Sequence, residues 1–256
     1  MSISSNWSSA LDAWGIPSEI LQQAPQNPWI HPPALFAVPE VIPETPSHLR
    51  ARETLDSGGS VLDIGCGGGI AAFAVAPPAS SVIGVDHQQE MLTMFAATAQ
   101  ARGLKHEEVL GDWPDVAAQT PTADVVTCHH VVFNIPQIEA FIRELNSHAN
   151  QRVVIEMPQQ HPLSTMTAAW KHFWDLDRPV KPTSDDLIQI VQAMELKPKF
   201  EHWEHPIRSG LTLDDEVRFM RIRLCLPESK DDEIRGFIQD NPAASTRKLT
   251  TIWWDK

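Results

Sequence analysis

Residues 61–69 read Val61-Leu62-Asp63-Ile64-Gly65-Cys66-Gly67-Gly68-Gly69, an apolar run that passes an acid and enters a turn with four glycines in five positions. The apolar residues predict a buried strand, and a helix-like run follows at residues 70–76. Glycines at such a turn let the main chain approach a ligand closely, and the N–H groups at a helix start favour an anionic or polar group. The sequence therefore predicts a ligand site where this strand ends.

The spacing of the glycines argues against a dinucleotide. A dinucleotide-binding turn requires glycines at Gly65, Gly67 and position 70, but position 70 is Ile70, and the third glycine comes one residue early. Asp63 would also place a carboxylate beside a pyrophosphate, which is electrostatically unfavourable. A cationic ligand is favoured instead.

Short β-branched runs alternate with amphipathic helical segments from Ser60 onward, which is typical of βαβ units. Right-handed crossovers then place helices on both faces of the sheet and put the ligand crevice at the carboxyl ends of the strands. The predicted fold is an α/β protein with a doubly wound, mainly parallel sheet. The predicted strands are Val61–Ile64, Val82–Asp86, Glu108–Leu110, Asp124–Cys128, Val153–Glu156, Lys199–His205 and an antiparallel Lys248–Trp254.

Composition narrows the class of protein. The 256 residues include 42% apolar residues, enough for one core, and carry a net charge of −13, which disfavours nucleic-acid partners. Three separated cysteines form neither a disulfide framework nor a metal motif. Because no stretch resembles a signal peptide or a membrane span, we expect a cytoplasmic protein without a membrane partner.

Two segments fall outside the alternating pattern. Residues 1–45 are rich in proline and tryptophan and are predicted to form a helical arm that covers the substrate acceptor, that is, the small molecule on which the protein acts. Residues 46–256 are predicted to form the core. Residues 157–182 are predicted to be an inserted lid helix. His161, Trp170, Phe173 and Trp174 of this lid either line an aromatic chamber over a small organic molecule or form a docking face.

The run from Asp63 to Gly69 resembles the first motif of the class I S-adenosylmethionine-dependent methyltransferases, which reads acid, apolar residue, Gly, x, Gly, x, Gly. The resemblance implies a Rossmann-like methyltransferase fold with seven strands. It also implies that Gly65, Gly67 and Gly69 lie against the methionine part of the cofactor and that Asp63 helps to place its amino group. The acid suits a ligand that carries a sulfonium and an ammonium but no phosphate.

Later strand ends supply further candidates. Asp86 follows Gly65 by 21 residues, the spacing at which a carboxylate meets a ribose diol, and the resemblance implies the same role. The resemblance also implies that Asp112 accepts a hydrogen bond from the adenine amino group and that Trp113 offers a stacking face or its main-chain N–H. The neighbouring residues Cys66, His87 and Cys128 complete the candidate cofactor contacts.

Residues 124–130 resemble the fourth-strand motif, whose carboxyl end faces the transferring methyl group. His129 and His130 are therefore the candidate catalytic bases, and since adjacent residues of extended chain face opposite ways, at most one reaches the acceptor. The same opposition argues against a metal site, and no metal is predicted. The stretch Asn134–Gln137 departs from the Asn-Pro-Pro-aromatic tetrad of amino-methylating DNA and protein enzymes, which disfavours that substrate class.

These features predict an S-adenosylmethionine-dependent methyltransferase that acts on a small molecule by in-line displacement. The leaving group of S-adenosylmethionine is already activated, so the protein mainly supplies alignment and exclusion of water. A cofactor-binding regulatory protein of the same fold without methyl transfer is the alternative hypothesis, and a nicotinamide-linked oxidoreductase is a third. The sequence leaves the acceptor, the methylated atom and the oligomeric state open.

Overall fold

The computed structural model describes residues 3–29, 36–55, 58–207 and 212–256, which contain a seven-stranded sheet. The strands are β1 Ser60–Ile64, β2 Ser81–Asp86, β3 Lys105–Leu110, β4 Ala123–His129, β5 Ala149–Pro158, β6 Lys199–Pro206 and β7 Thr246–Asp255. Their order is β3-β2-β1-β4-β5-β7-β6; the first five are parallel, and β7 runs antiparallel to both of its neighbours. The predicted α/β class and the seven-stranded, mainly parallel sheet are confirmed.

Each predicted strand lies inside an observed one, although two begin three or more residues earlier than predicted. β3 begins at Lys105 instead of Glu108, and β5 begins at Ala149 instead of Val153. β3 is an edge strand whose first residues are charged and exposed, so its start lacks the apolar signal of the buried strands. The last strand is antiparallel to β6 as predicted, but it lies between β5 and β6.

Within the described ranges, ten α-helices accompany the sheet. Apolar stripes at helical spacing bury their inner faces; on the helix after β2, Met91, Leu92, Phe95 and Ala99 are all buried. The helices are α1 Ile3–Asp12, α2 Ser18–Leu21, α3 Pro46–Arg52, α4 Ile70–Ala74, α5 Gln89–Ala101, α6 Ile138–His148, α7 Thr167–Trp174, α8 Ser184–Ala193, α9 Leu213–Arg223 and α10 Asp231–Asp240. None of them is both long and apolar enough to cross a bilayer.

Sequence patterns did not predict α3, which packs across β5 and β7. Thr45 caps this helix, since its side-chain oxygen accepts a hydrogen bond from the main-chain N–H of His48, and Pro46 occupies the first helical position. Both residues are typical of a helix start. The helix was missed because it is only seven residues long and lacks an apolar stripe.

Two tryptophans from the described part of the predicted arm pack against the core, whereas residues 1–2 and 30–35 of that arm lie outside the described residues. The indole of Trp7 donates to the carbonyl of Ile135 (2.9 Å), and that of Trp14 donates to the carbonyl of Lys181 (2.7 Å). On α7, Trp170 is buried in a cluster with residues of α2, α9 and α10. Phe173 and Trp174 pack against that cluster, so the aromatic stripe of the predicted lid forms a packing face.

Candidate active site

The turn that follows β1 requires its glycines for conformational and steric reasons. Gly65, Gly67 and Gly69 have φ values of +67°, +51° and +99°, a region that residues with a Cβ atom rarely adopt. A Cβ atom at Gly65 would also lie 2.4 Å from Cγ2 of Val131, a residue in the loop after β4. The turn therefore brings the end of β1 into direct contact with the loop at the end of β4.

Asp63 lies beneath this turn with its carboxylate occupied by protein donors. Oδ1 accepts a hydrogen bond from the hydroxyl of Thr127 (2.9 Å), and Oδ2 accepts one from the main-chain N–H of Ala72 in α4 (3.2 Å). Burial raises the pKa of this carboxyl to about 7 despite these two donors. The residue thus connects β1, β4 and α4, and its placing of a cofactor amino group stays a prediction.

Asp86 at the end of β2 holds the glycine turn against the next helix. Its Oδ2 accepts from the main-chain N–H of Gly67 (3.0 Å), and its Oδ1 accepts from that of Gln88 (2.9 Å). Each carboxylate oxygen has a further lone pair for a ligand hydroxyl. The predicted proximity of Asp86 to the turn is therefore present in the structure.

The remaining residues predicted to contact the cofactor differ in their exposure. Asp112 and His87 are exposed beyond the ends of β3 and β2, respectively. Trp113 is buried with its ring edge against His148 (centroids 4.8 Å apart), and Cys128 has no exposed surface. This placement favours packing over a cofactor contact for the side chains of Trp113 and Cys128.

Cys66 is buried in the turn between the two acids. Burial, followed by the negative charges of Asp63 and Asp86, raises the pKa of its thiol well above the ordinary value. The thiol therefore stays protonated and is not a nucleophile. Because Cys66 is part of the turn, its predicted role is a packing contact with a bound ligand.

Phe36, from the segment predicted as the arm, covers part of the glycine turn. Its ring lies 3.3 Å from the position that a Cβ atom at Gly67 would occupy, and its carbonyl oxygen lies 2.1 Å from the equivalent position at Gly68. Only glycine permits so close an approach of the two main chains. No periodic pattern in the sequence predicts this contact.

His129, the last residue of β4, stacks on His48 of α3 with ring centroids 5.6 Å apart. Its Nε2 is buried without a hydrogen-bond partner among the described residues. Burial lowers the pKa of His129 to about 3, although the carboxylate of Glu156 acts in the opposite direction. The imidazole is therefore neutral near pH 7 and is a poor acceptor of a proton.

His130 turns away from the strand with a φ of +63° and remains partly exposed. Its Nε2 lies 3.0 Å from Oε1 of Glu156, a buried residue of β5. Burial acts to raise the pKa of the Glu156 carboxyl, but the nearby imidazoles of His129 and His130 outweigh burial and hold it below its ordinary value. The two histidines predicted as alternatives thus lie in different environments, and His130 is the accessible one.

Sequence reasoning missed two side chains of this cluster, His48 and Glu156. His48 lies on the unpredicted helix α3, where its Nδ1 is 3.1 Å from the carbonyl of Pro43. Glu156 was placed at the end of a strand but was not assigned a role. A buried acid at a strand end was the available signal, because such a carboxylate requires a donor nearby.

Three comparisons with known proteins bear on this site. Residues 61–151, from β1 to the start of β5, match a family model described as a methyltransferase domain. A ubiquinone biosynthesis O-methyltransferase from Aliivibrio fischeri is 40% identical over 87 residues, which span 34% of this chain and 37% of that protein. The chain thus matches well under half the length of this relative.

Solved structures share the fold over a greater length. The YcgJ protein from Bacillus subtilis aligns with a TM-score of 0.56 and 19% identity, covering 82% of this chain and 97% of that one. A methyltransferase from Archaeoglobus fulgidus aligns with a TM-score of 0.50 and 19% identity, covering 82% and 92%. At this identity the likeness establishes the arrangement of strands and helices.

Proposed function

Because residues 61–151 belong to the methyltransferase domain family and the sheet has the class I arrangement, we propose that this protein is an S-adenosylmethionine-dependent methyltransferase acting on a small organic molecule. The observation that carries the proposal is the contact between Asp86 and Gly67. It joins a carboxylate at the end of β2, at the spacing expected for a ribose ligand, to the glycine turn that follows β1.

The residues at these strand ends fit S-adenosylmethionine. Asp86 keeps lone pairs free for the two ribose hydroxyls, and exposed Asp112 can accept from the adenine amino group. The turn from Gly65 to Gly67 would lie against the methionine part, whose ammonium the acidic surroundings favour. When bound, the cofactor supplies a methyl group on a positively charged sulfur, which is already a good leaving group.

The acceptor would bind at the ends of β4 and β5, where His130 is exposed. Phe133 and His161 lie on this side and contact each other at 5.2 Å, and Trp7 and Trp14 stack on them from the arm. We propose that residues 3–29 and 36–45 of the arm, together with residues 157–182, border the acceptor site and restrict the access of water. The curated relative acts in ubiquinone biosynthesis by its name, which supports a small organic acceptor.

Binding and turnover test this proposal separately. Calorimetry should show binding of S-adenosylhomocysteine to the native protein and none of NAD. Incubation with S-adenosylmethionine labelled on its methyl group should transfer label to members of a panel of phenols, alcohols and amines. Binding of the dinucleotide in place of S-adenosylhomocysteine would overturn the assignment, and binding of S-adenosylhomocysteine without transfer to any acceptor would count against methyl transfer.

A further inference from the structure

We propose that Glu156 is a positioning residue that fixes the proton of His130 on Nε2 and presents Nδ1 as a base to an acceptor carrying a hydroxyl group. The inference rests on the proposed methyl transfer and names its acceptor class. It is carried by the geometry of the β4 and β5 ends, where Glu156 holds His130 at two points.

The two points are a main-chain and a side-chain contact. The main-chain N–H of His130 donates to the carbonyl of Glu156 (2.8 Å), and its ring Nε2 lies 3.0 Å from Oε1 of the same residue. The parallel register pairs His129 with Glu156, so His130 is the first residue beyond the strand. Both ends of the histidine are therefore fixed relative to β5, and the left-handed φ of His130 is held in place.

The carboxylate of Glu156 is itself anchored. Glu156 is 5% exposed, and its Oε2 accepts a hydrogen bond from the hydroxyl of Thr45 (3.3 Å), the residue that caps α3. A buried carboxylate is stable only with such donors around it. Because an ionised carboxylate accepts hydrogen bonds and donates none, the ring nitrogen facing it must carry the proton.

The other groups around the pair do not replace His130 as the base. His129 is half-buried with its Nε2 enclosed, and its ring stacks on His48. The Nδ1 of His48 carries a proton because it faces the carbonyl of Pro43. Both imidazoles are held neutral by burial, which lowers their pKa values. His130, whose side chain is 38% exposed, is thus the imidazole of this cluster that an acceptor can reach.

The chemistry points to a hydroxyl acceptor. The acceptor oxygen forms a bond to the methyl carbon while the carbon–sulfur bond breaks and its electron pair stays on sulfur, leaving a neutral thioether. The hydroxyl proton passes to Nδ1 of His130, and the resulting imidazolium, stabilised by the Glu156 carboxylate, later releases a proton to water. An amine with a free lone pair or a carboxylate attacks without such a base.

The position of the proton can be measured without turnover. Nitrogen-15 NMR of the native protein at a pH where His130 is neutral should show its proton on Nε2, and Glu156→Gln should abolish this preference because an amide can also donate. Glu108→Gln, which alters a similar pair with His106 (2.7 Å) far along the sheet on β3, should leave His130 unchanged. A native His130 protonated on Nδ1 would overturn the inference.

Turnover supplies the second measurement. With an acceptor identified as above, Glu156→Gln should lower kcat at least about 10-fold, and His130→Asn about 100-fold, the range of general-base catalysis. Asn tolerates the left-handed conformation at position 130, so this variant should fold even if Glu156→Gln does not. Glu156→Asp should recover part of the loss.

The outcomes separate this inference from the proposed function. If the native protein binds S-adenosylhomocysteine and methylates a hydroxyl, but both variants keep native kcat, Glu156 does not position a base. A preference for amine acceptors over hydroxyls would likewise overturn the inference while leaving methyl transfer intact. If no S-adenosylhomocysteine binds to the native protein, the proposed function fails, whatever the position of the His130 proton.

Discussion

Gly65 and Gly103 share a φ of +67°, but an added Cβ atom would lie 2.4 Å from Val131 at Gly65 and would meet nothing within 4 Å at Gly103. The two positions therefore separate main-chain strain from steric contact. At Gly65 the contact joins the end of β1 to the loop after β4, and it explains why this turn closes so tightly.

Alanine substitution at each position should separate these two costs. Gly103→Ala should lower the free energy of unfolding by about 1–2 kcal/mol, the cost of a left-handed conformation. Gly65→Ala should cost about 1–3 kcal/mol more, since its methyl group overlaps Val131. Urea unfolding measures both, and Val131→Ala should restore stability in the Gly65 variant alone. Equal losses at the two positions would show that the loop moves aside freely.

Asp86 should contribute to cofactor affinity through its free lone pairs. Asp86→Ala is expected to weaken the binding of S-adenosylhomocysteine by about 1–3 kcal/mol, because ribose hydroxyls would be buried without an acceptor. Since the substitution also removes the acceptor for Gly67 and Gln88, Asp86→Asn is the milder companion variant and should lose less. Calorimetry with Asp115→Asn, an exposed neighbour of the site, provides the control. Unchanged affinity in a folded Asp86→Ala protein would refute this role.

The closeness of the proposed cofactor residues was predictable from the sequence because these residues follow the strands directly. Asp63, the glycines and Asp86 lie at fixed distances along the chain, and parallel strands bring their carboxyl ends together. The contacts at the proposed acceptor side were predicted only in part. His48 reaches His129 through a short helix without an apolar stripe, and the contact between His130 and Glu156 depends on strand register. Such long-range pairings leave no periodic trace in one sequence.

Asp63 should make stability fall as the pH rises. Its pKa is about 7 in the folded protein against 3.8 for the free group, so the folded state binds more protons between these values. The contribution of this group to the free energy of unfolding is therefore full below pH 3.8 and is lost as the pH rises through 7. Asp63→Asn cannot ionise, and the Thr127 hydroxyl can rotate to accept from the new amide.

The difference in melting temperature, variant minus native, should thus be more positive at pH 8 than at pH 5. Thermal unfolding by circular dichroism at both pH values measures it, with the exposed Glu107→Gln as a control that should show no such change. A difference that is the same at both pH values would mean that the Asp63 carboxyl titrates as a solvated group.

His161 should make the arm sensitive to acid. Its ring stacks on Trp14 with centroids 4.2 Å apart, and its Nδ1 accepts a hydrogen bond from the main-chain N–H of Leu163 (3.2 Å). Burial, followed by the positive charge of Arg178, lowers its pKa from 6.5 to about 4. Because the folded value is the lower one, the unfolded state binds the extra proton, and stability present above pH 6.5 is lost as the pH falls towards 4.

The expected loss from His161 is at most about 1.4 kcal/mol per pH unit within this window. Limited proteolysis should cut the arm of the native protein faster at pH 5 than at pH 7.5. His161→Asn should remove most of this pH dependence, because the Asn Oδ1 can still accept the hydrogen bond from Leu163 but the amide does not titrate. His87→Asn, at a side chain 61% exposed, is the matched control and should keep the native response. If cleavage of the His161 variant still accelerates at pH 5 as in the native protein, the acid response belongs to another group. His129 is then the first residue to test, because its lowered pKa of about 3 predicts a pH dependence of the same sign.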